Sequence, residues 1–197
     1  MKLFLSIVTV IFLFFTPVLE AQQQPFIFTL YGGLFLPSNQ QFRSHAQSSS
    51  DIIWGGGICL PFKSSLYAAG DISFFRAKAV VESQTDSSIE LFERFIHVGI
   101  INKQILSGNV FIRLSGGLSY VSIKQTTSSF RTPEKSIEAD KKLGYYGGIG
   151  LEQPLDEEGH LSIFGDVVYD YRRSQQKQLY GDFGGIRIVF GVHLFMF

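Results

Sequence analysis

The sequence predicts an all-β chain: an eight-stranded antiparallel up-and-down transmembrane β-barrel, preceded by a cleavable signal peptide. Three observations carry this expectation. Eight long segments alternate apolar and polar residues. The connections between them alternate long and short. The last segment, "RIVFGVHLFMF" at 187–197, sets the row Ile188, Phe190, Val192, Leu194 and Met196 against Arg187, Val189, Gly191, His193, Phe195 and Phe197.

The N-terminus comes first. Met1 and Lys2 precede an apolar run from Leu3 to Phe15, then Pro17 and the small residue Ala21. That is the order of a secretory signal peptide. The run is too short for a spanning helix, which needs about 20 apolar residues. Cleavage is expected after Ala21. Residues 1–21 are then the signal, and residues 22–197 form one barrel domain beginning at Gln22. No cysteine near the cut offers a lipid anchor. With the chain ending on its last strand, no periplasmic wall-binding domain is expected.

Composition narrows the class. Lys plus Arg number 17 and Asp plus Glu number 17, so no net field attracts nucleic acid. The single Cys59 allows no internal disulfide. After the signal no apolar run reaches the length of a transmembrane helix.

The segments are placed at 26–36, 51–61, 65–78, 91–102, 109–122, 142–153, 159–172 and 184–197. The third sets Leu66, Ala68, Gly70, Ile72 and Phe74 against Tyr67, Ala69, Asp71, Ser73 and Phe75. The fifth sets Val110, Ile112, Leu114, Gly116, Leu118 and Tyr120 against Phe111, Arg113, Ser115, Gly117 and Ser119. The seventh sets Leu161, Ile163, Gly165, Val167, Tyr169 and Tyr171 against Ser162, Phe164, Asp166, Val168 and Asp170. Each segment is about 10–14 residues long, where a tilted membrane strand needs about 9–11 and ordinary strands centre near 5–6.

Residues 37–50, 79–90, 123–141 and 173–183 read as long polar loops, and 62–64, 103–108 and 154–158 as short turns. Long external loops and short periplasmic turns are the outer-membrane pattern, and they place both termini in the periplasm. Strand direction then sorts the aromatic residues by height. Trp54, Phe74, Phe92, Tyr120, Tyr145, Tyr169 and Tyr171 fall at the upper ends of the apolar rows. Phe26, Phe28 and the Phe195–Phe197 end fall at the lower rim. Two such girdles mark the membrane–water interfaces.

With these features the chain resembles the outer membrane protein beta-barrel family, the small OmpA-like and OmpX-like eight-stranded group, over residues 26–197. The terminal Phe197 adds to the resemblance. It departs in parity: family members place that ring on the lipid-facing row, whereas Phe197 shares the row of Arg187 and His193. A bulge in the last strand or a loosely read assembly signal accommodates this. The resemblance implies a monomer in a Gram-negative outer membrane, among lipid and lipopolysaccharide. Periplasmic chaperones and the barrel-assembly machinery would deliver it there.

An eight-stranded barrel has an interior that side chains fill. The inward row would hold Asp71, Glu93, His97, Arg113, Glu152, Asp166, Asp170, Arg187 and His193. Buried charges must pair or reach water. Arg113 is expected to meet Glu152, and Arg187 to meet Asp166 or Asp170. A plug of ion pairs that sets register is preferred over a proton path or small pore. The stretches "WGGGIC", "LSGGLS", "YYGGIG" and "DFGGIR" lack the helix and Lys-Ser or Lys-Thr of a phosphate loop. They fit barrel curvature and close approach beneath rings such as Tyr145 and Tyr146.

No catalytic, cofactor or metal site is expected. Ser44, His45 and Asp51 have the residue types of a triad, but a Ser-rich loop yields them cheaply. His160 lies at a turn. The function expected is structural or surface interaction of the adhesion type, through loops 37–50 and 123–141, and not a wide pore. The alternatives are a lipid A-modifying enzyme on the same scaffold and a soluble lipocalin-like binder. The inward charges oppose the latter.

Overall fold

The computed structural model describes residues 25–38, 51–63, 65–80, 87–129, 132–138, 142–156, 159–174 and 181–196. All nine regular elements among the described residues are strands: β1 (Phe26–Pro37), β2 (Asp51–Lys63), β3 (Leu66–Val80), β4 (Ser87–Ser107), β5 (Val110–Ser129), β6 (Thr132–Glu138), β7 (Lys142–Pro154), β8 (Leu161–Ser174) and β9 (Gly181–Met196). Every pairing is antiparallel. The order is β4-β3-β2-β1-β9-β8-β7-β5, and β4 pairs with β5 to close the ring. Eight strands make the barrel, and β6 hangs on β5 outside the circle.

Alternation sets the faces. In β5, Leu118 is 58% exposed while the next residue, Ser119, is fully buried. Phe190 and Leu194 are exposed on β9, with Val189 and His193 buried between and beside them. The apolar row therefore points outward and the mixed row fills the lumen. A lipocalin-like barrel would have the reverse.

The end of the barrel holding Phe26 and Met196 is called lower here, and the end holding Pro37 and Gly181 upper. Near the upper end Phe35, Ile53, Phe75, Phe95, Val121 and Ile123 pack as an apolar layer. The Phe35 ring meets Phe75 at 4.7 Å and Phe95 at 5.2 Å, both edge-on. Near the lower end Ile27, Cys59, Tyr67 and Ile101 form a second layer, with Phe195 against it. Glycine makes room for one of the largest rings. Gly99 and Gly117 face each other across β4 and β5, and a Cβ on Gly99 would come within 2.6 Å of Tyr146 Oη.

The strands outrun the sequence reading. The segment 123–141, read as a loop, carries β5 on to Ser129 and then forms β6. The loop drawn at 79–90 is shortened by β3 running to Val80 and β4 starting at Ser87. β4 also runs down to Ser107, so the turn at 103–108 reduces to Gly108 and Asn109, where Gly108 has φ 53°. β2 continues to Lys63 through a register shift at Pro61. Past Tyr120 the outward row of β5 passes to Ser122, Lys124 and Thr126, and period-two alternation of hydrophobicity disappears although the ladder continues.

Phe195 stands at the lower end on the inner row, which it shares with Arg187 and His193. The β1–β9 ladder runs without a register shift from Gly185 to Met196, so no bulge occurs there. Phe197, the signal segment 1–21, Gln22, and Ser44 and His45 lie outside the described residues.

Candidate functional site: the charged lumen and the outer girdle

The strand ladders bring the inward charges into connected groups. In the lower lumen Glu152 is the hub. Lys103 Nζ lies 2.8 Å from its carboxylate and Ser162 Oγ donates to it at 3.0 Å. Arg113 Nε stands 3.4 Å away and His193 Nδ1 3.1 Å away. Arg113 also reaches Asp166 at 3.2 Å and lies over the Phe164 ring at 4.5 Å. Lys103 lies between the Tyr67 and Phe195 rings, at 5.0 and 5.1 Å from their centres.

Higher in the lumen a second group ties five strands. His97 on β4 turns Nδ1 to Asp71 on β3 at 3.0 Å and Nε2 to Asp170 on β8 at 2.6 Å. Arg187 on β9 places Nε 2.7 Å from Asp170 and Nη1 4.0 Å from Asp71. Tyr31 on β1 donates its hydroxyl to Asp71 at 2.6 Å. Arg187 also donates to Ser73 at 3.4 Å. Between the two groups lies a cavity of about 60 Å³, bordered by Tyr31, Asp71, Arg113, Tyr146, Asp166 and Arg187. That is room for a few water molecules. Glu93 is buried above, within the electrostatic reach of Arg172, which donates to the Val121 carbonyl at 2.6 Å.

So Arg113 meets both Glu152 and Asp166, and Arg187 meets Asp170 but not Asp166 among the described contacts. Tyr31, Lys103, Ser162 and Arg172 were not singled out in the sequence. Tyr31 and Arg172 were detectable in principle, because both lie on inward rows. Lys103 was hidden by the turn drawn over it.

The outer band is continuous in two arcs. Trp54, Phe74 and Phe92 follow one another across β2, β3 and β4, with ring centres 4.9 and 6.3 Å apart. Tyr145 and Tyr171 meet at 5.1 Å across β7 and β8. Tyr169 is exposed beside them, and Tyr120 lies on the outward row of β5. Phe26 and Phe28 are exposed at the opposite end.

What this arrangement can do chemically is limited. Both ring nitrogens of His97 face carboxylates, so neither is left to take a proton from Ser119, its cross-strand partner. Asp51 opens β2 opposite Phe35, and its Oδ1 accepts the Ile52 amide at 2.8 Å. Among the described residues no group of His, Cys, Asp and Glu is placed to hold a metal ion.

A closed antiparallel ring of eight strands, apolar outside and charged within, is the fold of the small outer-membrane β-barrels. Similar solved structures include the following three. Neisserial surface protein A has TM-score 0.55 at 10% identity, over 86% of this chain and 95% of that one. Ail, the attachment invasion locus protein of Yersinia pestis, has TM-score 0.51 at 14% identity, over 87% and 100%. Ail in complex with the heparin analogue sucrose octasulfate has TM-score 0.55 at 15% identity, over 87% and 98%. At these identities the likeness is one of fold. No protein-family model and no curated protein sequence matches the chain.

Proposed function

We propose that this chain is an integral outer-membrane barrel with a filled lumen, whose work is done by a projecting surface that contacts molecules outside the cell. One observation carries the reading. β4 and β5 are 21 and 20 residues long, about twice the 9–11 that a tilted strand needs to cross. They continue past the Trp54–Phe74–Phe92 arc and, with β3 and β6, build a four-stranded blade. β6 pairs only with β5 among the described residues, so its other edge can accept a strand. The blade includes most of segment 123–141, one of the two loops expected to make contacts. The inward ion pairs act as a structural plug. The aromatic arcs mark the interface, residues 1–21 direct export, and both termini face the periplasm.

The test has two parts. Fractionation should place the protein in the outer membrane, starting near Gln22, with gel migration that changes on boiling. Recovery from the soluble periplasm without detergent would sink the location. Replacing residues 125–138 by a two-residue Asn-Gly turn should leave that migration intact. It should abolish adherence of cells to an immobilised surface. Ail's complex with a heparin analogue makes a sulfated polysaccharide a fitting first surface. Undiminished adherence across matrix proteins and polysaccharides would remove the blade from the proposal.

A further inference from the structure

Toward the upper end, the outward charges among the described side chains stand in one sector. The outward positions of β1, β7, β8 and β9 carry none, and β2 carries only Lys63, opposite Leu66 at its lower end. Those of β3 to β6 carry Arg76, Glu90, Arg94, Lys124 and Glu138. Arg94 is the deepest. It pairs with Phe74 on β3 and with Ser122 on β5, and Phe92 and Ile96 flank it along its own strand. Tyr120 and Lys124 are its diagonal neighbours on β5.

A cation at a lipid-facing position must reach water or an anion. Arg94 has no ion pair among the described residues, and its Nε is buried without a hydrogen-bond partner. Arg76 is different, because it pairs with Glu90. Lys124 is exposed. Glu138 stands opposite it on the β6 side, and the two form no ion pair. Opposed and diagonal residues on neighbouring strands are about 5–8 Å apart. Arg94, Ser122 and Lys124 can thus converge on one oxyanion, to which a guanidinium offers paired N–H groups. Directly below, Ile96 continues into the exposed pair Val98 and Leu118, an apolar surface suited to acyl chains.

We infer that Arg94, Ser122 and Lys124 bind the phosphate of an outer-leaflet lipid whose acyl chains lie on Ile96, Val98 and Leu118. A soluble phosphate would use the upper half of this site and ignore the lower. The inference rests on the outer-membrane reading above and names the lipid class that the barrel would hold there.

Native mass spectrometry of the detergent-folded full barrel tests it. The probes are bis-phosphorylated lipid A, its dephosphorylated form, and inorganic phosphate. Wild type and the lower-end control Lys63→Gln should retain the phosphorylated lipid. Arg94→Gln and Lys124→Gln should each weaken retention about tenfold, as expected for losing one charge-assisted hydrogen bond, and the double variant further. Each sample is first shown to migrate as a heat-modifiable barrel. A sample that never does so brings down the membrane reading and this inference with it. A folded double variant that retains the lipid like wild type overturns the inference alone. Equal retention of the dephosphorylated lipid, or displacement by inorganic phosphate, does the same.

Discussion

His97 Nε2 lies 2.6 Å from Asp170 Oδ1, although the two residues stand on β4 and β8, which are not neighbours in the sheet. The contact crosses the lumen. With Asp71 on the other ring nitrogen and Arg187 against Asp170, it links β3, β4, β8 and β9. His97→Ala should therefore lower stability by about 2–3 kcal/mol, because Asp71 and Asp170 each lose a charge-assisted hydrogen bond while Arg187 and Tyr31 remain beside them. A double-mutant cycle of His97→Ala with Asp170→Asn, read by urea unfolding in detergent, should show strong coupling. Coupling near zero would mean that water from the adjoining cavity screens the pair.

Glu152 serves Lys103, Arg113, His193 and Ser162 at once. Glu152→Gln should cost about 3–5 kcal/mol, since the cations left behind are buried. Arg113→Met should cost less. Glu152 then keeps Lys103 and Ser162, and the Asp166 side chain retains 13% exposure to water. Equilibrium unfolding of the two variants checks the order, and the reverse order would refute Glu152 as the hub.

Val192 pairs with Leu30 on one side and Ile163 on the other, within an outward apolar surface. Val192→Arg should reduce folding into bilayers by about 2–4 kcal/mol if the site lies near mid-membrane. Unchanged insertion into vesicles would show that this row does not meet lipid.

At the turn after β7, the Asp156 carboxylate accepts the Leu161 amide at 2.9 Å and the His160 amide at 2.8 Å. These bonds, Leu161's first, hold its pKa below the usual aspartate range. The folded value thus lies below the unfolded one. The capping contribution is present above the unfolded value and is lost as pH falls through the folded one. Exchange of the Leu161 amide should accelerate relative to its intrinsic rate on acidification through that window. Asp156→Asn should abolish the pH dependence of protection, and a persisting dependence would assign it to another group.

Lipid A should be chemically unchanged when the protein is deleted. The motive is that His97 has both ring nitrogens engaged by carboxylates. Mass spectrometry of lipid A from cells with and without the protein is the measurement. A change in acyl-chain number restored by wild type but not by His45→Ala would establish an enzyme.

Two adjacent residues show what was legible in the sequence. Leu118 and Ser119 face opposite solvents, and a strand turns successive side chains to opposite faces. Because the outside of the ring is apolar and the inside is a packed, mixed lumen, alternation alone determined the faces. Asp71, Arg113, Glu152 and Arg187 could be placed inward without coordinates, and so could the Trp54–Phe74–Phe92 arc outward. Arg113 and Glu152 were legible as partners because their strands are neighbours. The tertiary structure decided the rest. Asp170 meets His97 only because the ring closes, and the strand registers bring distant rows to one level; no local pattern encodes a contact across a lumen. It also decided where strands stop. The ladder of β5 and β6 runs from the Lys124–Glu138 pair through Thr126 and Ser136. The residues from Thr126 to Glu138 follow no apolar–polar alternation, so none marks the blade, although backbone pairing sustains it.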